Sequence, residues 1–271
     1  MSMQESSRMD EIENFADGKL RLTRGRIAVL ELNQPAKRNA ISQDMWQAFP
    51  DICAAIERDA GIRVVVLRGA GGRAFSAGAD ISEFAGLYAD AESARRANDA
   101  IRLAQARLRV LDRPTIAMID GVCIGGGLGV ALACDFRFAV PEAKFAITPA
   151  RLGLPYSFHD TAQLVEKVGP VRAKDILFSA RLIEAQEALS MGLIDRVHVP
   201  ASLWAETSAY AEILASLSQT SIRTSKAIIN GITDALALHA PEYQAATDAG
   251  FDGPDFHEGY SAFLEKRAPR Y

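Results

Sequence analysis

Two segments nearly without side chains carry the most chemistry in this chain: Phe75-Ser-Ala-Gly-Ala-Asp-Ile81 and Ile119-Asp-Gly-Val-Cys-Ile-Gly-Gly-Gly-Leu-Gly129. In both, a backbone N–H can lie bare beside a ligand, because glycine and alanine leave nothing to hold the ligand away. The second segment follows an apolar run, Thr115 to Ile119, that reads as a buried strand, and enters another, Leu128 to Ala133, that reads as the start of a helix. A helix start adds unpaired donors and the positive end of a dipole. The chemistry this suits is the holding of a negatively charged oxygen, where one aimed donor contributes roughly 2.7–4 kcal/mol to a transition state. A tight turn uses the same residues, so the pattern gains meaning only from its surroundings.

Better-known glycine templates do not fit. Gly125-Gly-Gly-Leu-Gly-Val130 has valine where a dinucleotide fingerprint needs its last glycine, and no Gly-Lys-Ser/Thr follows for a phosphate loop. Cys53, Cys123 and Cys134 form an odd set in apolar surroundings and read as buried thiols of a reducing compartment, the cytoplasm. His198, His239 and His257 lack partners at ligand spacing, so no metal is expected. Ser76 and Ser157 have no recognisable base for nucleophilic work.

At 271 residues, 49% hydrophobic and 24% charged, the chain suits a soluble globular protein. A net charge of −4, without Lys/Arg blocks or a long apolar run, points away from nucleic acid and membranes. Residues 1–17 are polar and read as a loose tail. Leu20 to Leu32 predicts two strands around Arg24-Gly-Arg26, Gln43 to Asp59 a helix, Arg63 to Arg68 a buried strand and Ala91 to Leu111 a long helix ended by Pro114. Phe136 to Val140 is a further strand. Alternating strands and helices predict an α/β core. From Val171 the signals are helical: Val171 to Ser179, Glu184 to Met191, Ala201 to Leu217, Ser221 to Ile232 and Asp255 to Lys266. No repeat is visible.

Five motifs in order resemble the crotonase, or enoyl-CoA hydratase/isomerase, superfamily: Leu32-Asn-Gln-Pro-Ala-Lys-Arg-Asn-Ala-Ile41, Arg73-Ala-Phe-Ser-Ala-Gly-Ala-Asp-Ile81, Gly121-Val-Cys-Ile-Gly-Gly-Gly127 with Cys134-Asp135, Ala185-Gln-Glu-Ala-Leu-Ser-Met-Gly-Leu-Ile194 and Glu258-Gly-Tyr-Ser-Ala-Phe-Leu-Glu-Lys-Arg267. The resemblance implies a spiral of ββα units over 18–200 and a helical region, 201–271, that forms homotrimers or hexamers and caps the acyl pocket. It implies an acyl-CoA thioester substrate of fatty acid metabolism, no separate cofactor, and an enolate held by the N–H groups of Ala79 and Gly126. By position, Arg38, Ala77, Ile81, Phe263 and Lys266 become contacts for the CoA portion.

The family's hydratases activate water with two glutamates; those places hold Gly129 and Pro149 here. Ile147-Thr-Pro-Ala-Arg-Leu-Gly-Leu-Pro-Tyr156 resembles instead the loop of the methylmalonyl-CoA decarboxylase branch, which makes Thr148 and Tyr156 site candidates. That branch has histidine at the place of Ala79 and keeps the first glutamate. His159, Asp160 and Glu83 are further acid–base candidates, with a role for Asp160 near a helix cap as the plainer reading. Expected functions are therefore enolate chemistry of the hydratase/isomerase kind, decarboxylation of a malonyl-type thioester, or acyl-CoA binding without catalysis.

Overall fold

The computed structural model describes residues 12–234 and 253–270. Among these, strands β1 (Ile12–Phe15), β2 (Leu20–Thr23), β3 (Ile27–Leu32), β4 (Val64–Gly69), β5 (Ala74–Ser76), β6 (Thr115–Ile119), β7 (Val122–Ile124), β8 (Phe136–Ala139), β9 (Lys144–Ala146), β10 (Ile183–Glu184) and β11 (Arg196–Val197) divide between two sheets. The larger runs β1-β2-β3-β4-β6-β8-β11, the smaller β10-β9-β7-β5. β1 to β3 pair antiparallel, and from β3 to β11 the large sheet is parallel. Val64 to Leu67 are all buried, as a strand covered on both faces requires.

The helices are α1 (Gln43–Arg58), α2 (Phe84–Leu87), α3 (Ala91–Arg109), α4 (Gly126–Ala133), α5 (Phe158–Ser179), α6 (Ala185–Ser190), α7 (Pro200–Ser216), α8 (Gln219–Asp234) and α9 (Pro254–Leu264). Three turns of chain each lay one strand in each sheet and then turn into helix: β4-β5 into α2 and α3, β6-β7 into α4, β8-β9 into α5. This is the spiral of ββα units that the resemblance implies. Its period is invisible in the sequence because the helices differ so much, with 19 residues in α3, 8 in α4 and 22 in α5.

Two expectations need correction. Part of the stretch read as a loose tail, residues 12–15, is β1, held by antiparallel pairing to β2; its alternation of half-buried and exposed residues is too short to register as a pattern. Residues 1–11 lie outside the described residues, as do His239 and the rest of 235–252. The helix expected over Val171 to Ser179 is present as the second of two helical parts of α5, set off from residues 158–168 by a kink at Gly169, whose φ is 75° and ψ 165°. The helix expected near Leu128 begins at Gly126. All three cysteines are buried and unpaired, and no helix among the described residues is long and apolar enough to cross a membrane.

α7 lies on the large sheet, burying Leu203, Ala211 and Ala215 in the main core. α8 is tied in by Lys226, whose Nζ lies 2.8 Å from Asp135 Oδ2. The same oxygen accepts from the N–H and hydroxyl of Thr115, at 2.8 and 3.0 Å, so Asp135 joins β6, β8 and α8 and is structural. Asp135→Ala removes the counter-charge of a nearly buried ammonium, which keeps only the Arg113 carbonyl, and leaves a strand N–H unpartnered. It is expected to lower unfolding stability by about 2–3 kcal/mol, read from the denaturant midpoint.

Candidate active site

The parallel strands β5, β7 and β9 of the small sheet lie side by side, so the segments leaving their C-terminal ends meet at one rim. Those segments are Ala77 to Asp80, Gly125 to Gly127, and Ile147 to Pro149. The first is steered by an isolated bridge to Ile41. Ile41 N–H donates to Gly78 O at 2.7 Å and Asp80 N–H donates to Ile41 O at 3.0 Å, which leaves the intervening N–H of Ala79 on the opposite side with no partner among the described residues. The second segment begins α4. Gly125, at φ 53° and ψ −122°, is its N-cap, the first helical bond runs from Gly129 N–H to Gly125 O, and the N–H of Gly126 has no partner among the described residues.

These two segments touch without side chains between them. A Cβ at Gly127 would fall 2.5 Å from Ser76 Cβ, and one at Gly126 would fall 3.7 Å from Ala79 N and 3.0 Å from Trp46 Cζ2. Two free donors thus converge on the edge of one cavity of about 160 Å³.

The structure brings many of the expected residues to this cavity: Ala77, Ala79, Ile81, Gly126, Thr148, Tyr156 and Asp160 all line it. Arg38 is exposed and does not line the cavity, though its carbonyl accepts from Ala77 N–H at 2.9 Å. Phe263 and Lys266 are exposed at the end of α9 and do not line the cavity. His159 is half-buried and also off the wall. Glu83 is engaged elsewhere: its Oε2 accepts from Gln43 N–H at 2.7 Å, filling a free donor in the first turn of α1, so its expected acid–base part is replaced by a capping one.

Asp160 lies in the first turn of α5, beside its cap as expected. Ser157 is the N-cap of α5, its hydroxyl oxygen accepting from Asp160 N–H at 3.1 Å while donating to Asp160 Oδ2 at 2.7 Å. Asp160 Oδ1 is buried with no hydrogen-bond partner among the described residues. Burial pushes the carboxyl up to about 6, opposed by the Ser157 hydroxyl and then by the neighbouring Gln105 amide. The Tyr156 hydroxyl is likewise buried and unpartnered, and burial, then the charge of Asp160, holds it well above the ordinary phenol range.

The place of the absent first glutamate is filled. A Cβ at Gly129 would lie 2.3 Å from Gln105 Nε2 and 3.3 Å from Asp160 Oδ1, so α3 and α5 send polar groups into the space that a side chain on α4 would take. The motifs missed Gln105, Asn98, Ile101 and Trp46, all on the wall. Asn98, Ile101, Arg102 and Gln105 do share one face of α3 at spacings of three and four, a stripe of polar residues with one isoleucine that a core-seeking pattern passes over. Asn98 Nδ2 and both amide atoms of Gln105 are buried and unpartnered too, which concentrates unsatisfied polarity on this wall.

In the native state Asp160 takes up its proton near pH 6 rather than 3.8, so its neutral form favours folding below about pH 4 and that advantage is lost as pH rises through about 6. Asp160→Asn removes the buried charge. Its thermal stability is expected to exceed that of the parent at about pH 7.5, by up to about 3 kcal/mol, with the gain vanishing toward about pH 4. A melting series that shows loss at neutral pH contradicts the burial argument.

Comparison with known proteins agrees with this geometry. Residues 23–271 match the family model described as enoyl-CoA hydratase/isomerase. The chain is 34% identical over 254 residues to a crotonyl-CoA hydratase of Syntrophomonas wolfei, covering 91% of this chain and 94% of that one. Among solved structures it is similar to an enoyl-CoA hydratase/carnithine racemase from Magnetospirillum magneticum, with TM-score 0.77, 35% identity and coverage of 93% and 94%. It is also similar to a methylmalonyl-CoA decarboxylase in complex with 2-nitronate-propionyl-CoA, with TM-score 0.84, 28% identity and coverage of 93% and 97%. With its motifs in order, its spiral intact and this extent of likeness, the chain belongs to the enoyl-CoA hydratase/isomerase family.

Proposed function

We propose that this protein is an acyl-CoA-processing enzyme that forms or consumes a thioester enolate, with the charge on the thioester oxygen held between the N–H groups of Ala79 and Gly126. The observation that carries the reading is the 3.7 Å approach of a Gly126 Cβ position to Ala79 N at the edge of a cavity, with both donors unpartnered. Such preorganised donors act where charge develops and need no reorganisation during the reaction. Hydration by a pair of glutamates does not fit Gly129 and Pro149. Proton transfer within an unsaturated or saturated acyl chain does, because it needs an enolate and one acid–base group. The CoA is part of the substrate on this reading, and no resident cofactor is invoked. Assembly into trimers or hexamers accords with Ile228, Ile229 and Ile232, which α8 leaves exposed.

A second reading, decarboxylation of a malonyl-type thioester, is favoured by Thr148 and Tyr156 on the cavity wall and by the likeness to methylmalonyl-CoA decarboxylase. Loss of CO₂ itself leaves the electron pair that becomes the enolate, so little base strength is asked of the protein.

Incubation with saturated, 2-enoyl, 3-hydroxyacyl and malonyl-type CoA esters in deuterated water, followed by mass spectrometry, separates these readings. Deuterium uptake next to the thioester supports enolate chemistry, and loss of CO₂ supports the second reading. Saturable binding without any mass change leaves a binder without catalysis. Gly126→Val, which fills the space before Ala79 N, is expected to cut turnover by at least about 100-fold in a protein with unchanged circular dichroism; full activity sinks the assignment. The double variant Arg38→Gln, Lys266→Gln is expected to raise KM for CoA esters, more at low ionic strength than at high, since exposed charges are screened by salt.

A further inference from the structure

We propose that Asp160 is the group that takes a proton from the carbon chain of the bound thioester and gives it back, working from the start of α5 where position 129 of α4 carries no side chain. The proposal rests on the enolate reading above and names its acid–base residue.

Geometry supplies the argument. Asp160 lines the same cavity as Ala79 and Gly126, and its Oδ1 lies 3.3 Å from the point where a side chain at 129 would begin. It is therefore close to the root position of an acid–base group on α4, reached from another helix. Its two oxygens are in different situations. Oδ2 is fixed by the Ser157 hydroxyl, while Oδ1 is buried and unpartnered. A carboxylate kept only for helix capping has no need of a buried free oxygen at a ligand cavity, since Ser157 already supplies the cap. An unpaired buried acceptor is costly, and one that is retained calls for a partner or a task. Burial raises its proton affinity into the range where a carboxyl can both accept and release a proton near neutrality.

The step balances without any co-reactant. The C–H bond next to the thioester carbonyl breaks, and its proton forms an O–H bond with Oδ1. The electron pair left on carbon moves into the enolate, placing the charge on the oxygen between the two N–H groups. In return, the O–H bond breaks and a C–H bond forms at the same carbon, or at the third carbon along when a double bond is conjugated with it. One carboxyl suffices for that exchange, whereas adding water also requires the water to be held.

The groups facing Asp160 are Gln105 from α3, Gly129 from α4, and Tyr156 and Ser157 before α5. Of these only Tyr156 can ionise, and burial holds it neutral throughout the working range. The rate of α-exchange should therefore follow one ionisation, rising with pH through about 6. Ser157→Ala removes the donor that favours the charged form, and it should move that rise to higher pH.

The experiment measures deuterium uptake from deuterated water into butyryl-CoA, crotonyl-CoA and 3-butenoyl-CoA, together with butyryl-CoA dissociation constants, for the full chain and its variants. Asp160→Asn is expected to exchange at least about 100-fold more slowly while binding butyryl-CoA within about threefold of the parent, and Asp160→Glu to recover part of the rate. Exchange by Asp160→Asn at the parent rate overturns the role of Asp160 and leaves the enolate reading standing. A parallel loss of binding and exchange, or a pH profile that Ser157→Ala does not move, assigns Asp160 to structure and also overturns it. Absence of exchange by the parent chain with all three esters, despite binding, overturns the enolate reading and this inference together.

Discussion

The site depends on one contact: the first turn of α4 pressed against the loop after β5, backbone to backbone. With a Cβ at Gly127 falling only 2.5 Å from Ser76 Cβ, the pair tolerates no side chain on the helix side, and Ser76 is fully buried beneath it. Ser76 is also useful there, since its hydroxyl accepts from Gly78 N–H at 3.1 Å and so shapes the turn that leads to Ala79. The approach is possible because β5 and β7 are parallel neighbours, which brings the segments leaving them to the same edge. The cavity then lies beyond the carboxyl ends of parallel strands, where other α/β sheets bind their ligands. The two N–H groups are aimed by the scaffold rather than by any rotatable side chain, so their geometry costs no side-chain entropy to maintain.

The same wall shows how a pocket changes when one side chain is absent. Gly129 leaves room on α4, and Gln105 from α3 and Asp160 from α5 have closed into it. The exchange is between elements rather than between residues of one helix. It keeps a carboxyl in the neighbourhood while altering its direction, its support and its proton affinity. Pro149 has no such substitute at its own place, though Tyr156 and Thr148 bring hydroxyl groups to the adjoining wall. The cavity, apolar over most of its wall, thus takes its polar groups from α3, α5 and the loop before α5.

Much of the frame was legible from residue pattern. The buried run Val64 to Leu67, the hairpin around Gly25 and the amphipathic spacing of Met45, Phe49, Ile52 and Ile56 each announced their element. The spiral itself was not, because a helix of 8 residues and one of 22 occupy equivalent turns. At the site, the glycine motifs marked two bare segments of the cavity rim through what they lack. Gln105 and Asn98 gave no sign, since polar residues on one stripe of a long helix look like a solvated face. Only the folding of α3 against α1 and α4 turns that stripe inward. Glu83 misled in the opposite way: its nearness in sequence to Ala79 says nothing of its side chain, which is bound to the start of α1, 40 residues away.

The unpaired atoms of this wall bear on the energetics of the whole. Buried donors and acceptors are ordinarily satisfied, and an ionised carboxylate is among the costliest groups to enclose. Here Asn98, Gln105, Tyr156 and Asp160 each keep a buried polar atom without a partner, all around one small cavity. A continuous core running from Leu20 and Leu22 in β2 to Ala211 and Ala215 in α7 offsets that cost. Ligand binding changes the balance. An acyl chain excludes water from the cavity, which strengthens every remaining electrostatic interaction, including those from Ala79 and Gly126. The polarity that lowers the stability of the empty fold is therefore the polarity that a bound thioester can use.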